Sequence, residues 1–160
     1  MTTPYAGDPS LFPRLPPGED ELPCGAGEPR ETGRHRRQRE LLIESLEAHW
    51  ADRQDVAIEG NMALYFSELQ AKKNDFRAPD VFVVLDSVRR DRKSWVVWQE
   101  ERAPNLVIEL LSPATERGDQ MRIYAKLLRV PEYFLFDPLT GAFEGYRLDL
   151  DTLSYLPMTQ

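Results

Sequence analysis

The chain has 160 residues, 41% hydrophobic and 29% charged, with a formal net charge of −7, as expected of one ordinary globular domain. That acidic balance argues against non-specific adhesion to nucleic acid, which phosphate neutralisation drives, and runs such as Tyr133-Phe134-Leu135-Phe136 are too short to span a bilayer. The opening Met1-Thr2-Thr3-Pro4-Tyr5 lacks the basic and apolar regions of a secretory signal, and the one cysteine, Cys24, supplies neither an internal disulfide nor a metal motif. A reducing cytoplasm is therefore the expected setting.

In chain order, residues 1–31 are rich in proline and glycine with almost no apolar periodicity. They predict a flexible arm ahead of one domain over 32–160. From Arg34 to Trp50, the residues Leu41, Leu42, Leu46 and Trp50 recur at helical spacing, with Thr32 placed as a cap. Val56 to Phe66 predicts extended structure kinked near Gly60-Asn61, and the polar stretch Glu68 to Arg77 a loop. A buried strand over Val81–Leu85, a basic loop over 87–93 and a short strand or crossing segment over Ser94–Trp98 follow. A second buried strand carries Leu106 to Leu110. Ser112-Pro113 then starts a helix running from about Ala114 to Leu128, with Ile123, Tyr124, Leu127 and Leu128 on its apolar side. Val130 to Phe136 predicts another buried strand, and Phe143–Leu148 with Leu153–Leu156 a hairpin. The strand–helix–strand unit over 105–136 requires a right-handed crossover. The predicted architecture is α/β (α+β), with helices around a mixed central sheet. No glycine-rich phosphate loop supports a nucleotide fold.

Two carboxylates stand out because each interrupts an apolar run. Asp80 precedes Val81-Phe82-Val83-Val84-Leu85, and Glu109 follows Leu106-Val107-Ile108. An ionised side chain there is costly unless paired, hydrogen-bonded or bound to a metal, so two on neighbouring strands make a candidate divalent-cation site. The plainer alternatives are a turn carboxylate after Pro79 and an edge ion pair for Glu109. Arg34, Arg36, Arg37 and Arg39 form one basic cluster, and Arg89, Arg90, Arg92 and Lys93 another; most such runs are solvated faces. Glu44 and Glu47 on the first helix, and Glu59, are weaker site candidates, with a solvated face the plainer reading. His35 and His49 are isolated, without a second histidine or cysteine at ligand spacing, which argues against zinc. Trp95 and Trp98 belong to the core or to a base-stacking platform, and Asp137 to a turn.

Several blocks in order resemble one bacterial group. They are Asp75-Phe76-Arg77-Ala78-Pro79-Asp80-Val81-Phe82-Val83-Val84-Leu85-Asp86, Arg92-Lys93-Ser94-Trp95-Val96-Val97-Trp98-Gln99-Glu100, Leu106-Val107-Ile108-Glu109-Leu110-Leu111-Ser112-Pro113-Ala114-Thr115 and Val130-Pro131-Glu132-Tyr133-Phe134-Leu135-Phe136-Asp137-Pro138. Over roughly 32–148 the chain is similar to the Uma-two-type family of restriction-endonuclease-like proteins, within the PD-(D/E)XK nuclease superfamily. The resemblance implies a restriction-endonuclease-like core and an endonuclease that hydrolyses DNA phosphodiesters with Mg2+ or Mn2+. Asp80 and Glu109 would match the family's metal ligands, because hard cations held by carboxylates clamp phosphate charge and activate water. The family's lysine is missing: Leu111 stands two residues past Glu109. In this group the cation sits on the following helix, one turn before a tyrosine; anchored on Tyr124, that place holds Gln120, and Glu116 matches an acidic residue a turn earlier. Glutamine carries no charge and is no base at neutral pH. An impaired nuclease and a non-catalytic nucleic-acid-binding or assembly protein thus compete as readings. A homodimer through an apolar edge strand near the C-terminus is a further expectation.

Overall fold

A computed structural model describes residues 15–22, 32–69, 77–112 and 117–159, with the side chains of 117–119 excepted. The predicted loop 68–77 and helix start 112–116 lie largely outside those residues, as do Glu116, Cys24 and most of the N-terminal arm.

Helix α1 (Gly33–His49) begins where Thr32 adopts an extended conformation and its hydroxyl accepts from the His35 amide at 3.1 Å, satisfying a donor the first turn would leave open. Its inward stripe is Leu42, Ile43, Leu46 and Trp50, all half-buried. Leu41, expected on that stripe, is 56% exposed, because adjacent helix positions diverge by about 100°. The chain then reverses into strand β1 (Val56–Gly60). The predicted kink follows at Asn61, whose φ is 51°, and β2 (Leu64–Tyr65) resumes beyond it.

Strand β3 (Val81–Leu85) is buried on both faces, and β5 (Leu106–Leu110) nearly so. Between them β4 (Trp95–Val96) pairs in parallel with β2. The predicted extension of β4 to Trp98 does not form: Val97–Glu100 is a helical turn, α2, ended by Glu101 in the left-handed region at φ 57°. Residues 15–22 lie against it, with the Trp98 indole donating to Pro17 O at 3.0 Å and Glu19 N to Gln99 Oε1 at 2.9 Å.

Helix α3 (Arg117–Arg122) passes into a π-turn over Ile123–Leu127. Its wider hydrogen-bond step, Leu128 N to Ile123 O at 3.1 Å, shifts the phase of the apolar face. Ile123, Tyr124, Ala125 and Leu128 are buried, whereas Leu127, expected to face the core, is 58% exposed. Strand β6 (Glu132–Phe136) and the hairpin β7 (Phe143–Asp149) and β8 (Ser154–Pro157) complete the chain.

The six-stranded sheet has the order β1-β3-β5-β6-β7-β8. Only β5 and β6 run parallel; the other pairs are antiparallel. One face carries Phe82, Val84, Val107, Tyr133 and Leu135 against Tyr124 and Leu128. On the opposite face α1 covers β1.

Candidate functional site

The antiparallel register of β3 and β5, Val81 opposite Ile108, brings the residue before Val81 level with the residue after Ile108. Asp80 and Glu109 therefore meet. The amide of Leu110 donates to Asp80 Oδ2 at 2.8 Å. The π-turn delivers the Tyr124 hydroxyl, which donates to Glu109 Oε1 at 2.9 Å. Glu109 is only 5% exposed. Burial first, then the Asp80 charge and a hydrogen bond between the two carboxyl groups, hold its pKa well above the ordinary carboxylate range. Tyr124 is pushed up as well, by burial and then by the Glu109 charge. Two touching carboxyl groups, one of them buried, repel when both are ionised, and a cation between them relieves that repulsion.

A third group reaches Asp80 from α1: His35 Nε2 lies 2.7 Å from Asp80 Oδ1, with side-chain exposures of 17% and 15%. Its isolation in the sequence is thus corrected in space. The signal is topological. Helix α1 and β1 run back on each other through a short turn, so the first turn of the helix lies over the end of β1. Gly60, at that end, pairs with Val81. A Cβ on Gly60 would stand 2.5 Å from Ile43 Cδ1 and 3.2 Å from the Asp80 carbonyl oxygen, so the missing side chain is what lets α1 sit this close.

Gln120 stands one turn before Tyr124, makes no hydrogen bond to either carboxylate, and its Oε1 is buried without a hydrogen-bond partner among the described residues. Glu44 is exposed on α1 and contributes nothing to this cluster. Glu47 and Glu59 instead line a cleft of about 610 Å³ along the open edge of β1, with Arg89, Arg90 and Arg92. Burial raises the Glu59 pKa to about 7, against the pull of Arg92.

The second basic cluster is largely consumed inside the fold. Arg92, 2% exposed, pairs with Glu100 at 2.7 Å and lies 4.6 Å from the Trp95 ring centroid. Arg89 binds the carbonyls of Val56 and Trp50, and Arg90 bridges Glu19 and Glu100. Arg34, Arg36 and Arg37 of the first cluster remain exposed on α1, flanking His35.

Two carboxyl groups in contact are a donor pair suited to a hard divalent ion. Among the described residues no group of three or more His, Cys, Asp and Glu is placed to hold a metal ion; His35 and Glu109 each contact Asp80. Nor is any described helix long and apolar enough to cross a membrane.

The family model described as "Uma2: Putative restriction endonuclease" matches residues 18–160. The solved structure of "a putative nuclease belonging to DUF820" from Anabaena variabilis is similar at 16% identity and a TM-score of 0.54, over 75% of this chain. The chain spans 65% of the length of that protein. No curated protein matches the sequence. The mixed six-stranded sheet with its helices is the fold of that nuclease-like neighbour.

Proposed function

The chain belongs to the Uma2 family, described as "Putative restriction endonuclease", and on that premise we propose that it is a metal-dependent endonuclease hydrolysing DNA phosphodiesters at Asp80 and Glu109. The observation that carries this reading is the contact between the two carboxyl groups. A contacting carboxyl pair, Glu109 buried and Asp80 partly so, held by the Leu110 amide and the Tyr124 hydroxyl, is an arrangement with little value to stability and direct value to cation binding.

Asp80 and Glu109 would hold Mg2+ or Mn2+, which when bound supplies charge neutralisation for the phosphate oxygens and activates water. Tyr124 keeps the Glu109 carboxylate in one orientation, and the Leu110 amide does the same for Asp80. Exposed Arg34, Arg36 and Arg37 offer charge for phosphates beside the site. Gln120 takes the lysine's place; its amide can donate to a phosphate oxygen or to water, but it adds no positive charge. Loss of one electrostatic stabiliser typically costs about 10²–10³ in rate, so cleavage is slow.

Supercoiled plasmid incubated with Mg2+ or Mn2+ tests this. Nicking by the wild type that stops with chelator and in both Asp80→Ala and Glu109→Ala is the expected result. Nicking that survives both substitutions places the chemistry elsewhere. The uncharged Gln120 also favours a second reading, a nucleic-acid-binding protein that keeps the ion and has lost the reaction; ion binding with no cleavage of any substrate selects it.

A further inference from the structure

We propose that the loop 90–93 is a binding site for a backbone phosphate of DNA, and that residues 17–22 hold it closed by setting the Glu19 carboxylate where that phosphate would lie. The inference rests on the reading of the chain as a DNA-cutting enzyme and adds a masked contact site to it. Glu19 Oε1 accepts from Arg90 Nη1 at 2.8 Å, and Glu19 Oε2 accepts from the Lys93 backbone amide at 3.1 Å. The Lys93 ammonium stands beside them, 2.9 Å from Asp20 Oδ1. A guanidinium, a main-chain amide and a lysine on one short loop are donors with which proteins hold the nucleic-acid backbone. The anion that fills them comes from a separate segment, 71 positions away from Arg90 along the chain.

Arg90 keeps its orientation when Glu19 leaves. Its Nη2 is bound to Glu100 Oε1 at 2.7 Å, and Arg92 grips the same carboxylate at 2.7 Å, so the site is preorganised. With Glu19 and Asp20 withdrawn, Arg90, Arg92 and Lys93 outweigh Asp91 and Glu100 in charge. The covering segment is lightly joined. Residues 15–22 contain no helix or strand. Beyond the two carboxylates, the Trp98 indole holds Pro17 O, Gln99 Oε1 holds the Glu19 amide, and Leu22 packs against the cluster of Tyr65 and Val96. Such a segment opens at lower free energy than the sheet beneath it. Lys93 is 63% exposed and Arg90 42%, so a duplex can touch both before Glu19 lets go.

Glu19→Gln combined with Asp20→Asn in the full chain removes the two charges and keeps the side-chain shapes. Two measurements read the site: fluorescence anisotropy of a labelled DNA duplex over a range of salt, without divalent ion, and the NMR signal of the Lys93 amide titrated with inorganic phosphate. The double variant should bind the duplex about tenfold tighter at low salt, with log affinity falling more steeply against log salt by about 1–2 units. Adding Arg90→Gln and Lys93→Gln should cancel that gain. Phosphate should move the Lys93 amide signal further in the double variant than in the wild type. Equal duplex affinity and slope in the wild type and the double variant overturn the proposal, even where phosphate moves the amide, since the ligand is then a free anion. So does a gain that survives Arg90→Gln with Lys93→Gln. The nuclease reading fails separately: plasmid nicking by the wild type beside an unchanged double variant upholds that reading and sinks the masked site, whereas a gain in affinity without cleavage by either protein does the reverse.

Discussion

At the scale of single residues, the site was legible where a charge broke an apolar run and illegible where only folding creates the neighbour. Asp80 and Glu109 could be picked out because each carboxylate adjoins β-branched and aromatic residues that bury. His35 could not, since 45 positions separate it from Asp80 and no local motif marks it. Gln120 was found only by its spacing from Tyr124 in a family pattern; its buried, unpartnered Oε1 is a structural observation that no spacing contains. Glu59 shows how a carboxyl can be strained without belonging to the cluster. Its pKa of about 7 lies above the ordinary 4.5, mainly through burial. The unfolded chain loses this proton near pH 4.5 and the folded one near pH 7. The penalty is thus absent below 4.5, grows through that interval and is complete above 7. Partial exposure limits it to about 1–2 kcal/mol. Glu59→Gln should therefore raise the melting temperature at pH 8 and leave it unchanged at pH 4; equal gains at both would show that ionisation is not the cause.

At the scale of elements, strand positions were readable and the phase of the second helix only in part, since Ile123, Tyr124 and Leu128 bury as expected and Leu127 does not. Val81–Leu85 buries all but its last residue and Glu132–Phe136 buries alternate ones, so hydrophobicity marks them well. A regular 3.6-residue period put Leu127 inside, but the π-turn over Ile123–Leu127 adds a residue to the step and turns it out. The same widening delivers the Tyr124 hydroxyl to Glu109, and no side-chain pattern announces it. The other decisive element contact is α1 on β1. Gly60→Ala would place a methyl 2.5 Å from Ile43 Cδ1 and 3.2 Å from the Asp80 carbonyl, which the backbone cannot yield cheaply. We expect a loss of about 1–3 kcal/mol in denaturant unfolding. Unchanged stability would show that the helix has room to spare.

At the scale of the molecule, the order β1-β3-β5-β6 sets two adjacent central strands so that their ends carry the carboxylates, and puts α1 where its N-terminus meets them. The sequence predicted helices around a mixed sheet, and that is what forms; the separate β2–β4 pair was beyond it, because two-residue strands leave no periodicity. Charge is distributed unevenly although the sum is −7. The loop 89–93 spends its arginines on Glu19, Glu100 and backbone carbonyls, while Arg34 and Arg37 stay exposed beside the site. DNA affinity should therefore depend on the second pair. Arg34→Ala with Arg37→Ala should weaken binding at low salt and flatten the dependence of log affinity on log salt by about 1–2 units of slope. An unchanged slope would move the phosphate track to another face.

The central claim is that Asp80 and Glu109 cut phosphodiesters with a divalent ion, at a rate held down by the missing cation at position 120. The direct measurement is the cleavage rate of plasmid DNA in Mn2+ for the wild type, Gln120→Lys, and Gln120→Lys combined with Asp80→Ala. The account predicts slow nicking by the first, a rise toward about 10²-fold in the second, and none in the third. No cleavage by the wild type or by Gln120→Lys, on several DNA and RNA substrates, would contradict it.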